Sequence, residues 1–372
     1  MTYDWNEISQ KWLLGTRVNY PREQCETAFN TVERLLESGW IDRYSKGARG
    51  IAIAIPIIEL GRVLGLIENV PFAGSIISRM NNLDLYPPAW SEAQFLSRLV
   101  EIGVDVRILV SQHTKHPDFE VSGHGLSVFV EVSQPEWSNE WRKTMRELTL
   151  TSQDILEITP NGTRIEGHLR RNPTAGDRLL IVEAIKHMMS RDDTQYRIDE
   201  LVELFLSHTN IGQMAAIENG PQETGPVIGM GNLKKDGGPP RSVVLKVPFT
   251  DKRAEQMLRR ESKHFSKTSS NLLVLDLTIV PGGIKTWESL ISRRLQVNLN
   301  RRIGAVLLIN YWISTKGLDR EEKLMMHPNP YVPLPDYFIS RIQNASRAHV
   351  PTRNTENRRG RVPRTHQHPF MP

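Results

Sequence analysis

Apolar residues recur with helical spacing over the first part of the chain. Between Ala28 and Trp40 they lie three and four positions apart, which predicts an amphipathic helix. A second apolar stretch covers 51–67 and predicts another helix, with Pro56 as its first residue. Residues 51–55, which precede Pro56, also fit a short strand. We therefore interpret residues 1–85 as a helical N-terminal section.

After Tyr86-Pro87-Pro88 the pattern changes to helices that alternate with short strands. Ser91 followed by Gln94 has the form of a capping box and predicts the start of a helix. The predicted elements that follow are strands at 104–110, 119–122 and 126–132, a helix-rich polar stretch near 138–220, a loop at 229–240, a strand at 242–247, a helix at 251–265, a strand at 272–277, a helix at 287–295 and a strand at 305–310. This order favours the α/β class, with a mixed sheet that is flanked by helices on both faces.

The second and third predicted strands form the most informative segment. Pairing Phe119 with Val130 collects their apolar side chains on one face, and the same register places Asp118 opposite Glu131. Facing residues have Cβ atoms roughly 4.5–5.5 Å apart, so two carboxylates repel each other there unless a cation lies between them. A divalent metal ion would satisfy both. The alternative is that Asp118 ends a turn and Glu131 lies on an exposed sheet face.

Pro117-Asp118, followed 13 positions later by Glu131-Val132-Ser133, resembles the PD-(D/E)XK nuclease superfamily. The helix and strand before this motif come in the order typical of the family. The segment 260–277 and the proline-rich stretch 327–335 are similar to segments of its uncharacterised bacterial members. The resemblance covers roughly residues 90–335. It implies a restriction-endonuclease-like mixed sheet flanked by helices, and metal-dependent hydrolysis of nucleic-acid phosphodiester bonds.

The resemblance also implies a role for each residue of the motif. Asp118 and Glu131 would bind Mg²⁺ or Mn²⁺, and the carbonyl group of Val132 would complete the ligand shell. Glu92 would be an auxiliary acid from the first helix of the core. Its helical phase matches that of Phe95, which predicts a side chain that points inward.

The chain lacks the lysine that family members carry two residues after the second acid. Ser133 occupies that position, and its hydroxyl group supplies no positive charge. On the later predicted helix Lys263 lies on the outer side, whereas Glu261 is an inward polar position and His264 lies at the flank of the inward stripe. His116, which the hairpin register places opposite Ser133, is therefore the candidate for a substitute base.

The positive charge of the chain is concentrated at its C-terminal end. Residues 341–372 carry seven arginines and one acidic residue, whereas the whole chain has a formal charge of +5. We interpret 341–372 as a basic disordered tail that either binds phosphate groups or only solubilises the protein. The arginines that would contact nucleic acid are Arg353, Arg358, Arg359, Arg361 and Arg364.

Composition excludes several classes of protein. The chain has 372 residues, of which 39% are hydrophobic, and it contains no apolar run of the roughly 20 residues that a membrane helix needs. Its start shows no secretory signal, and the single cysteine, Cys25, excludes an internal disulfide and a thiolate metal site. We expect a soluble cytoplasmic protein without a membrane partner.

The sequence therefore predicts a helical section at 1–85, a core at 86–340 with a helical insertion near 138–220, and a tail at 341–372. The leading hypothesis is a metal-dependent nuclease, with DNA rather than RNA as its partner. Loss of the motif lysine supports a second hypothesis, an inactive descendant that binds nucleic acid or a protein. A third is a protein-binding module formed by 1–85 and the insertion.

Overall fold

The chain folds into two mixed β-sheets that are flanked by helices. The computed structural model describes residues 3–13, 18, 20–46, 50–109, 116–135, 139–208, 227–232, 241–247, 252–278, 280, 283–314, 317–328 and 333–348. Within these ranges, no helix combines the length and the apolar composition that crossing a membrane requires. The two mixed sheets and their flanking helices confirm the predicted α/β class.

The helices are α1 (Trp5–Glu7), α2 (Arg22–Leu35), α3 (Trp40–Ser45), α4 (Ile51–Ile67), α5 (Gly74–Met80), α6 (Tyr86–Glu101), α7 (Asn139–Ile158), α8 (Ala175–Arg191), α9 (Lys252–Glu261), α10 (Gly283–Ser292) and α11 (Asp336–Ala348). A π-helical turn, Ile8–Trp12, continues α1, and a 3₁₀ turn, Ser262–His264, continues α9. The strands are β1 (Asp105–Ile108), β2 (Phe119–Gly123), β3 (Leu126–Ser133), β4 (Thr163–Leu169), β5 (Gln195–Ile198), β6 (Val202–His208), β7 (Val227–Asn232), β8 (Arg241–Lys246), β9 (Ser270–Asp276), β10 (Ala305–Ser314) and β11 (Gly317–Met326).

The first sheet has the strand order β1-β2-β3-β9-β10-β11. Strands β3, β9 and β10 are parallel to one another, and antiparallel pairs extend the sheet on both sides. Both faces are buried, because alternate side chains of β9 join different hydrophobic cores. Leu272 and Val274 pack with the N-terminal helices, whereas Leu273 and Leu275 pack with α9 and α10.

The second sheet has the order β5-β6-β4-β8-β7 and lies between β3 and α9 along the chain. The prediction of a helical insertion was therefore wrong, because 139–247 contains a sheet of its own with α7 and α8. The signal was present in β4, where Thr163, Ile165 and Leu169 are buried and alternate with polar residues. These polar residues hid the strand pattern. The predicted loop at 229–240 likewise begins within β7.

Two predicted helix starts were also wrong. Helix α6 begins at Tyr86, so Ser91 lies inside it and is not its N-cap. Pro87 is tolerated there because N–H groups in the first turn have no acceptor within the helix. In α4, Pro56 lies within the helix instead of at its start, in a segment whose neighbours Ile55 and Ile57 are fully buried.

The predicted start of the disordered tail at residue 341 falls within α11. Arg341 donates to the carbonyl oxygens of Ile102 and Gly103, and Ile342 is buried. The arginine content of this segment obscured an amphipathic helix that packs on the core. The remaining tail, with Arg353, Arg358, Arg359, Arg361 and Arg364, lies outside the described residues.

A capping box fixes the start of α8 and generates a stability prediction. The Thr174 side chain accepts from the Asp177 N–H, and the Asp177 carboxylate accepts from the Thr174 N–H and from Arg171. We expect Thr174→Ala to lower the free energy of unfolding by about 1 kcal/mol, because a helix N–H loses its acceptor. Urea denaturation measures this change in the free energy of unfolding.

Thr149→Ala is the control, because the Thr149 hydroxyl donates within α7. That variant should change stability by no more than about 0.5 kcal/mol. Equal effects of the two substitutions would contradict the capping role.

Candidate metal centre

The β2–β3 hairpin has the register that the side-chain alternation predicts. Phe119 pairs with Val130, and Val121 pairs with Val128. One step beyond the last pair, the carboxylate of Asp118 accepts a hydrogen bond of 2.7 Å from the Val132 backbone N–H. Asp118 is therefore fixed beside the end of β3, where Glu131 lies.

Glu131 is buried and uses only part of its hydrogen-bonding capacity. Its side chain is on the α9 face of the sheet, and Glu131 is 7% exposed. Its Oε1 lies 2.6 Å from Nδ1 of His264. Its Oε2 is also buried and has no hydrogen-bond partner among the described residues. A buried carboxylate oxygen without a partner is costly, and this makes it a candidate ligand atom.

Helix α9 and the turn after it supply the second half of the site. Glu261 accepts hydrogen bonds from the Ser133 hydroxyl, at 3.0 Å, and from Nε of Arg260, at 2.6 Å. Nδ1 of His264 lies 3.7 Å from the other oxygen of Glu261. One ligand atom each of Glu131, Glu261 and His264 can be chosen so that all three lie within 4.8 Å of one another. We call these three residues the carboxylate–histidine cluster.

The electrostatics of the site oppose ionisation of its acids. Burial raises the pKa of the Glu131 carboxyl well above its usual range, and the nearby Asp118, Glu261 and Glu92 carboxyl groups raise it further. Loss of solvent also raises the pKa of Asp118, and Glu92 acts in the same direction. The hydrogen bond from Val132 lowers the pKa of Asp118. The repulsion predicted from the hairpin register is therefore present.

Two arginines from different parts of the chain offset this negative charge. Arg79, at the end of α5, forms a two-pronged ion pair with Glu92 of α6. It also lowers the pKa of Asp118, so its charge reaches the hairpin. Arg260 acts on Glu131 in the same way. The N-terminal section thus contributes a cation to the site.

The structure brings together Asp118, Glu131, Glu92 and Ser133, four of the residues singled out in the sequence. The N–H of Val132 holds Asp118, while a ligand role for its carbonyl stays a prediction. His116 is not joined to Ser133. Its Nδ1 lies 2.6 Å from the Pro117 carbonyl oxygen, and the Ser133 hydroxyl is used by Glu261.

Glu261, His264 and Arg79 belong to the site but were not assigned to it from the sequence. For Glu261 the signal was available, because the phase of the predicted helix marked it as an inward polar position, with His264 at the flank of the same stripe. Lys263 is exposed, as that phase predicts. Arg79 carried no signal in the sequence, because its role depends on how α5 packs beside α6.

Neither a protein-family model, nor a curated protein, nor a solved structure matches this chain. The interpretation of the site therefore depends on its own geometry and charge.

The donor set suits a divalent cation. Carboxylate oxygens bind Mg²⁺ and Mn²⁺, and imidazole nitrogen binds first-row transition ions. The buried Oε2 of Glu131, without a hydrogen-bond partner among the described residues, and the raised pKa values of Asp118 and Glu131 indicate negative charge that a bound cation would offset. Asp276, at the end of β9, is also a buried acid, but each of its carboxylate oxygens already accepts a hydrogen bond, one from Ser91 and one from the Thr278 N–H.

The raised pKa of Glu131 predicts a pH-dependent cost in the metal-free protein. Above the ordinary pKa of 4.5, the folded state binds more protons than the unfolded state, so stability falls as pH rises. We expect Glu131→Gln to stabilise the protein at pH 8 in the presence of a chelator and to flatten this dependence. Denaturant unfolding between pH 5 and pH 9 measures the effect.

Glu166→Gln is the matched control, and we expect it to destabilise the protein at pH 8. Burial would raise the pKa of Glu166, but hydrogen bonds from Lys246 and His168 outweigh it and lower the pKa to about 2. The ionised carboxylate therefore stabilises the fold at every pH above its ordinary range, and this stabilisation is lost only as pH falls toward 2. Destabilisation by both substitutions at pH 8 would contradict the electrostatic account of Glu131.

Proposed function

We propose that this chain is a metal-dependent nuclease that hydrolyses phosphodiester bonds of nucleic acid. The observation that carries the proposal is the pairing of Asp118 with the buried, partly unsatisfied Glu131 at the end of a mixed sheet. The motif resemblance and the strand order β2-β3-β9 of the sheet that holds it support a restriction-endonuclease-like fold.

Asp118, Glu131 and the two other members of the carboxylate–histidine cluster would hold the ion. When bound, a divalent ion supplies a Lewis acid for the phosphate group and makes water a better nucleophile near neutral pH. The protein residues supply position. The Val132 N–H orients Asp118, and Ser133 orients Glu261.

The position of the motif lysine is filled by a residue that supplies no charge. The Ser133 hydroxyl donates to Glu261 and is thereby committed to orienting a carboxylate. Arg79 is a candidate for this role, since its charge acts on Asp118 while it binds Glu92. We propose that Arg79 offsets negative charge that develops on the phosphate group.

The second candidate function is a non-catalytic protein that binds nucleic acid or a protein partner. The observation that favours it is the closed ion pair between Arg79 and Glu92, which already uses both side chains. A chain without the motif lysine and with its arginine occupied would keep the fold and lose turnover.

Cleavage assays separate these two functions. We expect the protein to cut plasmid DNA or single-stranded DNA with Mg²⁺ or Mn²⁺, and Asp118→Asn or Glu131→Gln to lower the rate by about 100-fold or more, because each removes a ligand charge. Glu120→Gln is the control, because this acid lies in the same hairpin but pairs with Arg107. Its rate should match that of the wild type. Cleavage that survives both site substitutions would reject the site, and absence of cleavage by the wild type would favour the non-catalytic function.

A chain that ends at Ala348 tests the predicted role of the tail. It retains α11 and lacks five arginines, Arg353, Arg358, Arg359, Arg361 and Arg364. We expect weaker DNA binding and a shallower dependence of affinity on salt, by about 0.9 in the logarithmic slope for each phosphate contact that is lost. Fluorescence anisotropy at several salt concentrations measures both. An unchanged affinity and slope would assign the tail to solubility alone.

A further inference from the structure

We infer that His264 makes this site select a first-row transition-metal dication, such as Mn²⁺, in preference to Mg²⁺. The inference rests on the proposed function, since it concerns the metal site of that function. The proposed function leaves the choice between Mg²⁺ and Mn²⁺ open, whereas the nitrogen ligand His264 favours one class of ion.

The position of the imidazole is the first observation. Nδ1 of His264 lies between two carboxylates, 2.6 Å from Oε1 of Glu131 and 3.7 Å from Oε2 of Glu261. An ion bound by both acids would therefore lie within reach of this nitrogen and would replace its hydrogen bond to Glu131. A bound ion would meet nitrogen as well as oxygen.

The partnerless oxygen of Glu131 is the second, independent observation. Its Oε1 is occupied by His264, whereas its buried Oε2 is without a hydrogen-bond partner in the part of the chain that the structure describes. The cluster is thus incomplete by one interaction. A cation that binds Oε2 would complete it.

The chemistry of the donors then separates the classes of ion. Mg²⁺ takes oxygen ligands at short distances and gives up its waters reluctantly. First-row transition ions accept imidazole as well as carboxylate, and they bind sites of mixed nitrogen and oxygen ligands more tightly than Mg²⁺ does. A site of Glu131 and Glu261 alone would suit both classes, so His264 supplies the discrimination.

The backbone supports a fixed imidazole at this position. His264 ends the 3₁₀ turn that continues α9, and the next residue, Phe265, is buried in the core beneath the helix. On the other side, Glu261 is held by Ser133 and Arg260. The nitrogen and the two carboxylates therefore come from packed elements, which keeps the donor set in place before an ion arrives.

Titration calorimetry of the full-length, metal-free protein with Mn²⁺ or Mg²⁺ tests the inference without substrate. We expect the wild type to bind Mn²⁺ at least 10-fold more tightly than Mg²⁺. His264→Asn should weaken Mn²⁺ binding by about 10-fold or more and change Mg²⁺ binding by less than about 3-fold. Electron spin echo spectroscopy of bound Mn²⁺ should detect coupling to an imidazole nitrogen in the wild type and not in the variant.

His168→Asn is the matched control. His168 also contacts a carboxylate, Glu166, at 2.8 Å, but it lies on the second sheet. Its substitution should leave the preference for Mn²⁺ unchanged. Unfolding in a chelator checks that each variant is folded, and His264→Gln replaces His264→Asn if the latter is not.

The outcomes are distinguishable from failure of the proposed function. Equal loss of Mn²⁺ and Mg²⁺ affinity in the His264 variant, or absence of nitrogen coupling in the wild type, would overturn the inference, because His264 would then orient carboxylates only. Absence of binding by either ion would overturn it together with the metal site. Selective Mn²⁺ binding without DNA cleavage would uphold the inference and reject the nuclease.

Discussion

The hydrogen bond from the Val132 N–H to Asp118 is possible only because the hairpin register holds the two strands in place. Phe119 and Val130 set that register from within the hydrophobic core, since a slip of one residue would turn both toward the opposite face. The register therefore fixes the positions of Asp118 and Glu131. Two unit charges 4 Å apart repel by about 4 kcal/mol at an effective dielectric constant of 20. The apolar faces of the sheet thus stabilise an arrangement that its carboxylates oppose.

The positive charges that offset the acids of the site come from outside the hairpin. One of them, Arg79, belongs to the helical N-terminal section. Arg79 lies in the last turn of α5, which packs against α6, and Glu92 faces it from α6. Arg260 approaches from the other face of the sheet, on α9. Groups from both faces of the sheet therefore meet at the C-terminal end of β3.

The sequence predicted the parts of this site that depend on local periodicity. Strand alternation was sufficient for the Asp118–Glu131 pairing, and helical phase was sufficient to place Glu261 inward with His264 at its flank. Which groups these inward residues meet could not be predicted, because no local rule places α9 beside β3. Ser91 shows the limit in another way. Its spacing to a glutamine matched a helix start, but its hydroxyl instead binds Asp276 across the core.

The restriction-endonuclease-like fold stays a proposal, while the mixed α/β architecture is confirmed. The second sheet was missed because its polar face is rich in charged residues. Arg164, Glu166 and His168 stand between the buried residues of β4, and Lys246 of β8 joins them in an ion-pair network. Such a network gives a strand the composition of a surface helix, although its alternate residues belong to a core.

The second sheet also divides the candidate site along the chain. Glu131 and His264 are 133 residues apart, and the whole insertion lies between them. A chain emerging from the ribosome would expose the two hairpin acids long before the histidine is synthesised. An early, incomplete chain thus offers an oxygen-only pair, and the nitrogen donor arrives after the intervening sheet has been made. The order of synthesis therefore postpones full assembly of the donor set until the insertion has been translated.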